Sequence, residues 1–287
     1  MALASWPLEI VPSGKNKGPD AARSDIRQTV SLDVRIHQHR TMIGIFTDFG
    51  VQGPYLGQMR AVLLAQAPGV PVVDIFPDLP SFNVQAAAYL LPAYSQYLPD
   101  DSVSVCVVDP GVGSDRRALV VRADSRWYVG PDNGLFSILI RRAAQVQVFE
   151  ITWRPEQLSN SFHGRDLFAP VAAAIARGEQ PSAEAIDVNR LLMPNWPENL
   201  MQVVYLDGYG NAITGLRSCV VRRNAILSVG RWRCEFRPTF AEADAGIPFW
   251  YENSNGLLEI ALPGADAAAV LGLAVGSVFT LDAGLHS

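Results

Sequence analysis

The chain has 287 residues, 49% hydrophobic and 18% charged, which excludes a disordered polymer and supplies a core for one large domain or two smaller ones. Residues 1–41 hold six basic and four acidic side chains, so against a net charge of −5 the remainder stands at −7 and has no electrostatic reason to seek nucleic acid. No run of 18 apolar residues occurs, which excludes a transmembrane helix, and three scattered cysteines (Cys106, Cys219, Cys234) make neither a disulfide framework nor a CxxC metal site, as expected of a reducing cytoplasm.

Residues 1–41 mix Pro, Gly, Ser, Asn and both charge signs without a sustained period. They lack the apolar core of a secretory signal and read as a disordered extension or an over-long start. From Met42 strands and helices alternate. Strands are expected at Met42–Thr47, Val70–Phe76, Ser102–Val108 and Val146–Ile151, with a hairpin at Arg117–Ala123 and Arg126–Val129. Helices are expected at Tyr55–Ala67 (Leu56, Met59, Leu63 and Leu64 on one side), Asn83–Tyr97, Leu135–Arg142 and Phe168–Arg177. Continuous apolar strands joined by helices imply an α/β domain over residues 42–192 with a mostly parallel sheet covered on both faces. The Pro-containing stretch 193–199 reads as a linker. Beyond it, Gln202–Leu206, Ala225–Val229, Arg231–Phe236, Leu257–Leu262 and Ser277–Leu281 read as short strands of an all-β, barrel-like domain over residues 200–287.

The side-chain inventory narrows the chemistry. Both lysines, Lys15 and Lys17, lie in the first 41 residues, so the body has no P-loop or Schiff-base lysine. Of four histidines only His163 falls inside the body, which excludes a several-histidine zinc site and a two-histidine iron triad. No G-x-S-x-G elbow offers a serine nucleophile, and Asp48-Phe49-Gly50 lacks every companion of the kinase D-F-G.

In a doubly wound sheet the ligand lies beyond the carboxyl ends of the strands. Two strands here run into aspartate, Asp48 and Asp109. Either alone is as easily a turn cap; two at neighbouring strand ends point to a site. The loop Asp109-Pro110-Gly111-Val112-Gly113-Ser114-Asp115-Arg116-Arg117 adds close backbone approach and fixed positive charge. His163, in Ser161-Phe162-His163-Gly164-Arg165-Asp166, stands before a helix in a turn-rich setting. Asp207-Gly208-Tyr209-Gly210-Asn211 and Tyr251-Glu252-Asn253-Ser254-Asn255-Gly256 read singly as β-turns, and Glu259 inside an apolar strand either faces solvent or needs a partner.

Together these segments resemble one family, the S-adenosyl-L-methionine (SAM) hydroxide adenosyltransferases, adenosine-forming SAM hydrolases related to the fluorinase and chlorinase. The matching stretches are Thr47–Gly50, Val107–Ser114, Val129–Leu135, Phe162–Asp166, Asp207…Asn211 and Ser254…Glu259-Ile260-Ala261, in family order across residues 42–282. The resemblance implies an α/β domain, a barrel-like domain and a homotrimer holding substrate between subunits. It implies attack of water on ribose C5′ with L-methionine leaving, no cofactor and no metal. Asp109, Arg116 and His163 become the catalytic set, with either the carboxylate or the imidazole able to accept the proton.

For binding, the resemblance implies Asp48 on the ribose hydroxyls and Phe82 walling the ribose and sulfonium. Tyr209 and Phe240 would sandwich the adenine, with Asn211 on its edge. Asp207 and Ser254 would hold the methionine end, and Glu259 joins the binding set. Three departures stand out. The fluorinase has Tyr for Asp109 and Ser for Gly164, plus a halide loop absent here. Asn255 replaces a fluorinase-type arginine at the methionine carboxylate, and Gly215 replaces a frequent Asn. The alternatives are a non-catalytic SAM or adenosine sensor and a halide-using 5′-halo-adenosine synthase, the latter opposed by the negative charge of Asp109.

Overall fold

The computed structural model describes residues 41–282. The expectations for the N-terminal extension, for Lys15, Lys17, His37 and His39, and for His286 fall outside that range.

The first part runs β1 (Ile43–Thr47), α1 (Pro54–Gln66), β2 (Val72–Phe76), α2 (Val84–Ser95), β3 (Val103–Val107), β4 (Ala118–Ala123), β5 (Arg126–Pro131), α3 (Ser137–Arg142), β6 (Val146–Ile151), α4 (Ala169–Ala176) and β7 (Ala183–Ala185). Its seven strands form one sheet in the order β2-β1-β3-β5-β4-β6-β7. β2, β1, β3 and β5 run parallel, and β4, β6 and β7 are added antiparallel. β1 and β3 are buried along their whole length because both faces are covered. Strand alternation sends Ile43, Ile45, Val103, Val105 and Val107 into the core under α1 and α4. Phe46, Cys106 and Val108 go to the opposite core, under α2 and α3.

α1 buries Leu56, Met59 and Leu63, a stripe at i, i+3 and i+7. Leu64, expected on the same side, is exposed because it lies a further 100° round the helix. α2 opens on Asn83, whose Oδ1 accepts from the Ala86 amide at 2.9 Å, a cap worth about 1 kcal/mol. It is buried almost all round because it separates the two sheets, packing with Leu200, Val204, Ile213 and Leu257 in one apolar cluster.

Residues 193–199 are tied down rather than slack. Arg141 donates to the Trp196 carbonyl at 2.8 Å, Arg142 to Glu198, and the Tyr89 hydroxyl to the Pro197 carbonyl.

The second part comprises β8 (Leu200–Leu206), β9 (Ala212–Arg217), β10 (Leu227–Val229), β11 (Trp232–Phe236), β12 (Phe249–Glu252), β13 (Leu257–Ala261), α5 (Ala267–Leu271) and β14 (Thr280–Leu281). The strand order is β14-β10-β11-β12-β13-β9-β8. The sheet curls until its ends meet. The Val203 amide donates to the Ser277 carbonyl at 2.9 Å and Gln202 bridges Val278. Trp250, Leu258, Ile260 and Phe279 fill the inside. β7, β9, β12 and α5 escape the sequence reading. β9 runs through Gly215, where a Cβ would lie 2.8 Å from that of Leu200 and 3.3 Å from the Tyr89 ring. Gly215 therefore belongs to the close packing of β9 on β8 and α2, not to a binding wall.

Candidate active site

β1 and β3 are parallel neighbours with Thr47 opposite Val107, so Asp48 and Asp109 leave the sheet side by side at its carboxyl end. The Asn133 carboxamide donates to the Val108 carbonyl at 2.8 Å, fixing the backbone just before Asp109. After Asp109 the chain turns through Gly113 at φ +84°, where a Cβ would approach the Asn160 carbonyl to 2.5 Å. Glycine there lets the loop after β3 close against the segment leading to His163.

That closure assembles three of the expected residues. Arg116 grips both oxygens of Asp109, through Nε to Oδ1 at 2.7 Å and through Nη2 to Oδ2. The same Nη2 reaches Nδ1 of His163 at 3.1 Å. A guanidinium only donates, so Nδ1 carries the lone pair and the ring proton sits on Nε2. The Phe168 ring lies under the guanidinium, 5.3 Å from its carbon. His163 is 9% exposed; burial, and then the Arg116 charge, push its pKa below the ordinary value. The neighbouring Arg117 is held by Asp132, Nε to Oδ2 at 2.7 Å, so adjacent residues Asp132 and Asn133 brace the chain on either side of the pair.

Asp48, Asp109 and His163 line one cavity of about 520 Å³ with Phe82. Burial raises the Asp48 pKa, against the Phe82 amide that donates to its Oδ2 at 2.9 Å. Phe82 sits at φ +60° and is 76% exposed. The sequence reading missed Tyr55, Gln58 and Arg165 on the same wall. Tyr55 packs edge-on to Phe162 at 5.3 Å, and Arg165 bonds Gln58 and Asp166. Tyr55 and Gln58 stand one turn apart at the start of α1, and that spacing was the available signal.

The other expected residues gather in the second part, around two adjoining cavities that share Asp207 and Tyr251. One, of about 620 Å³, is lined by Tyr209, Asn211 and Phe240. Tyr209 is 85% exposed, and Phe240 stands edge-on to Phe249 and Tyr251. Asp207 organises its own turn, accepting the Tyr209 and Asn211 amides at 2.9 and 2.8 Å and the Asn211 carboxamide at 3.0 Å. The other cavity, of about 530 Å³, is lined by Ser254 and Glu259 with Asp78 and Tyr205. Glu259 is 3% exposed and finds partners, accepting from the Tyr251 hydroxyl at 2.5 Å and Asn253 Nδ2 at 3.0 Å. Burial raises its pKa.

The cavity holding Asp109 shares no lining residue with these two. Among the described residues no group of three or more His, Cys, Asp or Glu is placed to hold a metal.

Residues 43–185 match the family model described as the SAM hydroxide adenosyltransferase N-terminal domain, and residues 201–280 match that of the C-terminal domain. A protein of Thermus thermophilus named (R)-S-adenosyl-L-methionine hydrolase is 39% identical over 250 residues, covering 80% of this chain and 95% of the relative. A fluorinase of an Actinoplanes species is more distant, 23% identical over 84% of this chain and 97% of its own length. The crystal structure of an uncharacterized conserved protein from Thermotoga maritima superposes with a TM-score of 0.75 at 30% identity, covering 84% of this chain and 99% of that one.

Proposed function

The chain belongs to the SAM hydroxide adenosyltransferase family, and we propose that it is an S-adenosyl-L-methionine hydrolase that forms adenosine and L-methionine. The observation that carries the reading is the compact Asp109–Arg116–His163 group, beside Asp48 at the carboxyl end of the sheet.

The chemistry suits this inventory. A sulfonium departs as a neutral thioether, so the reaction needs neither a leaving-group acid nor a cofactor. What the protein supplies is alignment of water with C5′ and a partly dry setting, effects that reach roughly 7–11 kcal/mol in the best intramolecular cases. With His163 Nδ1 occupied by Arg116, its Nε2–H donates to the water oxygen, while Asp109 accepts a water proton as oxygen attacks C5′. Arg116 holds Asp109 in place and favours a hydroxide-like nucleophile. Asp48 accepts from the ribose hydroxyls beside Phe82. Tyr209 and Phe240 clasp the adenine with Asn211 on its edge, while Asp207, Ser254 and Glu259 surround the methionine end.

Because the catalytic cavity and the aromatic cavity have no common wall, we place the substrate between the first domain of one subunit and the second domain of another, in a homotrimer. No helix among the described residues is long and apolar enough to cross a membrane, and the scattered free cysteines suit a reducing cytoplasm. The relatives' name specifies the (R) configuration, and we extend that preference to this chain.

The test is incubation of purified protein with each sulfonium epimer of the substrate, separating products by chromatography. Adenosine and methionine in equal amounts, faster from the (R) epimer and abolished by Asp109→Ala, is the expected result. Tight binding without product would make the protein a sensor instead.

A further inference from the structure

The turn between β12 and β13 puts Ser254 and Asn255 on the wall of the cavity assigned to the methionine end. Its inner side braces itself. Asn253 is buried, its Oδ1 accepts the Asn255 and Leu257 amides at 2.9 and 3.0 Å, and its carbonyl accepts the Gly256 amide at 3.0 Å. The outer side is braced from the first domain. The Tyr97 hydroxyl donates to the Ser254 carbonyl at 2.8 Å, and Gln96 Nε2 donates to the Asn255 carbonyl at 3.1 Å. Two consecutive carbonyls of the turn are thus met by two consecutive residues that follow α2.

Those two residues are themselves fixed. Gln96 is the C-cap of α2, and its Nε2 also donates to the Ala93 carbonyl at 2.8 Å. Arg126, on β5, donates to the Gln96 carbonyl at 3.1 Å and the Leu98 carbonyl at 2.8 Å, a cation at a helix C-terminus. The Tyr128 hydroxyl, also on β5, donates to Ser95 Oγ at 3.1 Å. The turn therefore takes its position from the sheet of the first domain, through the end of α2. Tyr97 is 70% exposed, so its ring contributes little to the core and its hydroxyl makes the informative contact.

We propose that Tyr97 and Gln96 are positioning residues for the methionine end of the substrate. By holding the Ser254 and Asn255 carbonyls they set where the polar groups of the turn meet the amino acid, and so govern affinity for that portion without touching the substrate. The inference rests on the hydrolase reading above. Both contacts lie within one chain, so they hold whatever a neighbouring subunit adds to the site.

The experiment measures kcat and KM for S-adenosyl-L-methionine, and the inhibition constant of adenosine, in the parent, Tyr97→Phe and Gln96→Met. Adenosine carries the nucleoside without the methionine. It is a sensitive control because α2 starts at Asn83, next to the Phe82 amide that holds Asp48, and a displaced helix would disturb the ribose as well. Each variant is expected to raise KM about three- to tenfold, the range for one neutral hydrogen bond, with kcat within a factor of about two and adenosine inhibition unchanged. The double variant should exceed either single one. An unchanged KM in both single variants overturns the proposal and leaves the hydrolase reading intact. A parallel rise in KM and in the adenosine constant also overturns it, reducing the contacts to a structural role. No turnover by the parent overturns both readings.

Discussion

Arg116 donates through Nη2 to Nδ1 of His163 at 3.1 Å, so the same guanidinium that clamps Asp109 also decides which ring nitrogen carries the proton. Protonating Nδ1 would remove that acceptor and set two cations against each other. Burial and then Arg116 hold His163 below its ordinary 6.5, so the neutral ring is the working form at neutral pH.

The acid limb of kcat/KM is accordingly expected below pH 6.5, with the His163 ring titrating there by NMR and identified by its loss in His163→Asn. The folded chain binds this proton less readily than the unfolded one. The contribution to stability is therefore complete above 6.5 and is lost as pH falls from 6.5 toward the folded value. A His163 titration at or above 6.5 would contradict the geometry.

Arg116→Lys keeps the charge but loses the planar fork that spans Asp109 and His163. A fall in kcat of about 100-fold or more is expected, within the range for misplacing an acid–base group, with KM changed little. Steady-state kinetics of the purified variant checks it, and a KM effect alone would reassign Arg116 to binding.

Asn133 acts one step further out. Asn133→Asp replaces the donor to the Val108 carbonyl with an acceptor and should let Asp109 drift. A loss in kcat of roughly tenfold is expected at unchanged KM. Asn133→Gln, which retains a donor, should recover part of it. Equal loss in both variants, tracking a lowered Tm, would mean a structural role only.

Much of this arrangement was legible before the fold was known. Asp48 and Asp109 announce themselves because apolar strands end on them, and strand pairing then places them together. The Arg116 contact was legible only through resemblance, since it depends on Gly113 letting two loops meet at Asn160, and no periodicity encodes that approach. Glu259 read as an anomaly in an apolar strand, but its partners Tyr251 and Asn253 come from β12 and its turn. β12 was missed because four residues following a proline give too short a pattern. β9 was missed because Gly215 interrupts its side-chain pattern, and the reason for that glycine lies in Leu200 and Tyr89, outside the strand.

Tyr209 and Phe240 line one cavity with Asn211, and both rings are exposed at its rim. Tyr209→Ala is expected to raise KM about tenfold, in line with about 1–3 kcal/mol for a base–aromatic contact, and to leave kcat within a factor of about three. Tyr209→Phe should behave as the parent, since stacking needs the ring and not the hydroxyl. If the Phe variant fell with the Ala variant, the hydroxyl would be the binding group.

The protein is expected to make adenosine alone in chloride or fluoride, with no halogenated product, because the Asp109 carboxylate stands where an anion would have to approach. Removing that charge should not create a halogenase. In Asp109→Ala, Arg116 loses the partner holding both its Nε and Nη2 and keeps only the weaker His163 Nδ1 contact and the Phe168 ring to hold the guanidinium. Gly164→Ser is no remedy, since a Cβ there lies 3.3 Å from both Met59 Sδ and the Phe49 ring and crowds both neighbours without supplying a positive charge. The double variant assayed with halide and S-adenosyl-L-methionine is expected to give neither adenosine above background nor a 5′-halo-adenosine. A halogenated product from it would show that Asp109 acts only as an electrostatic gate and not in handling the water proton.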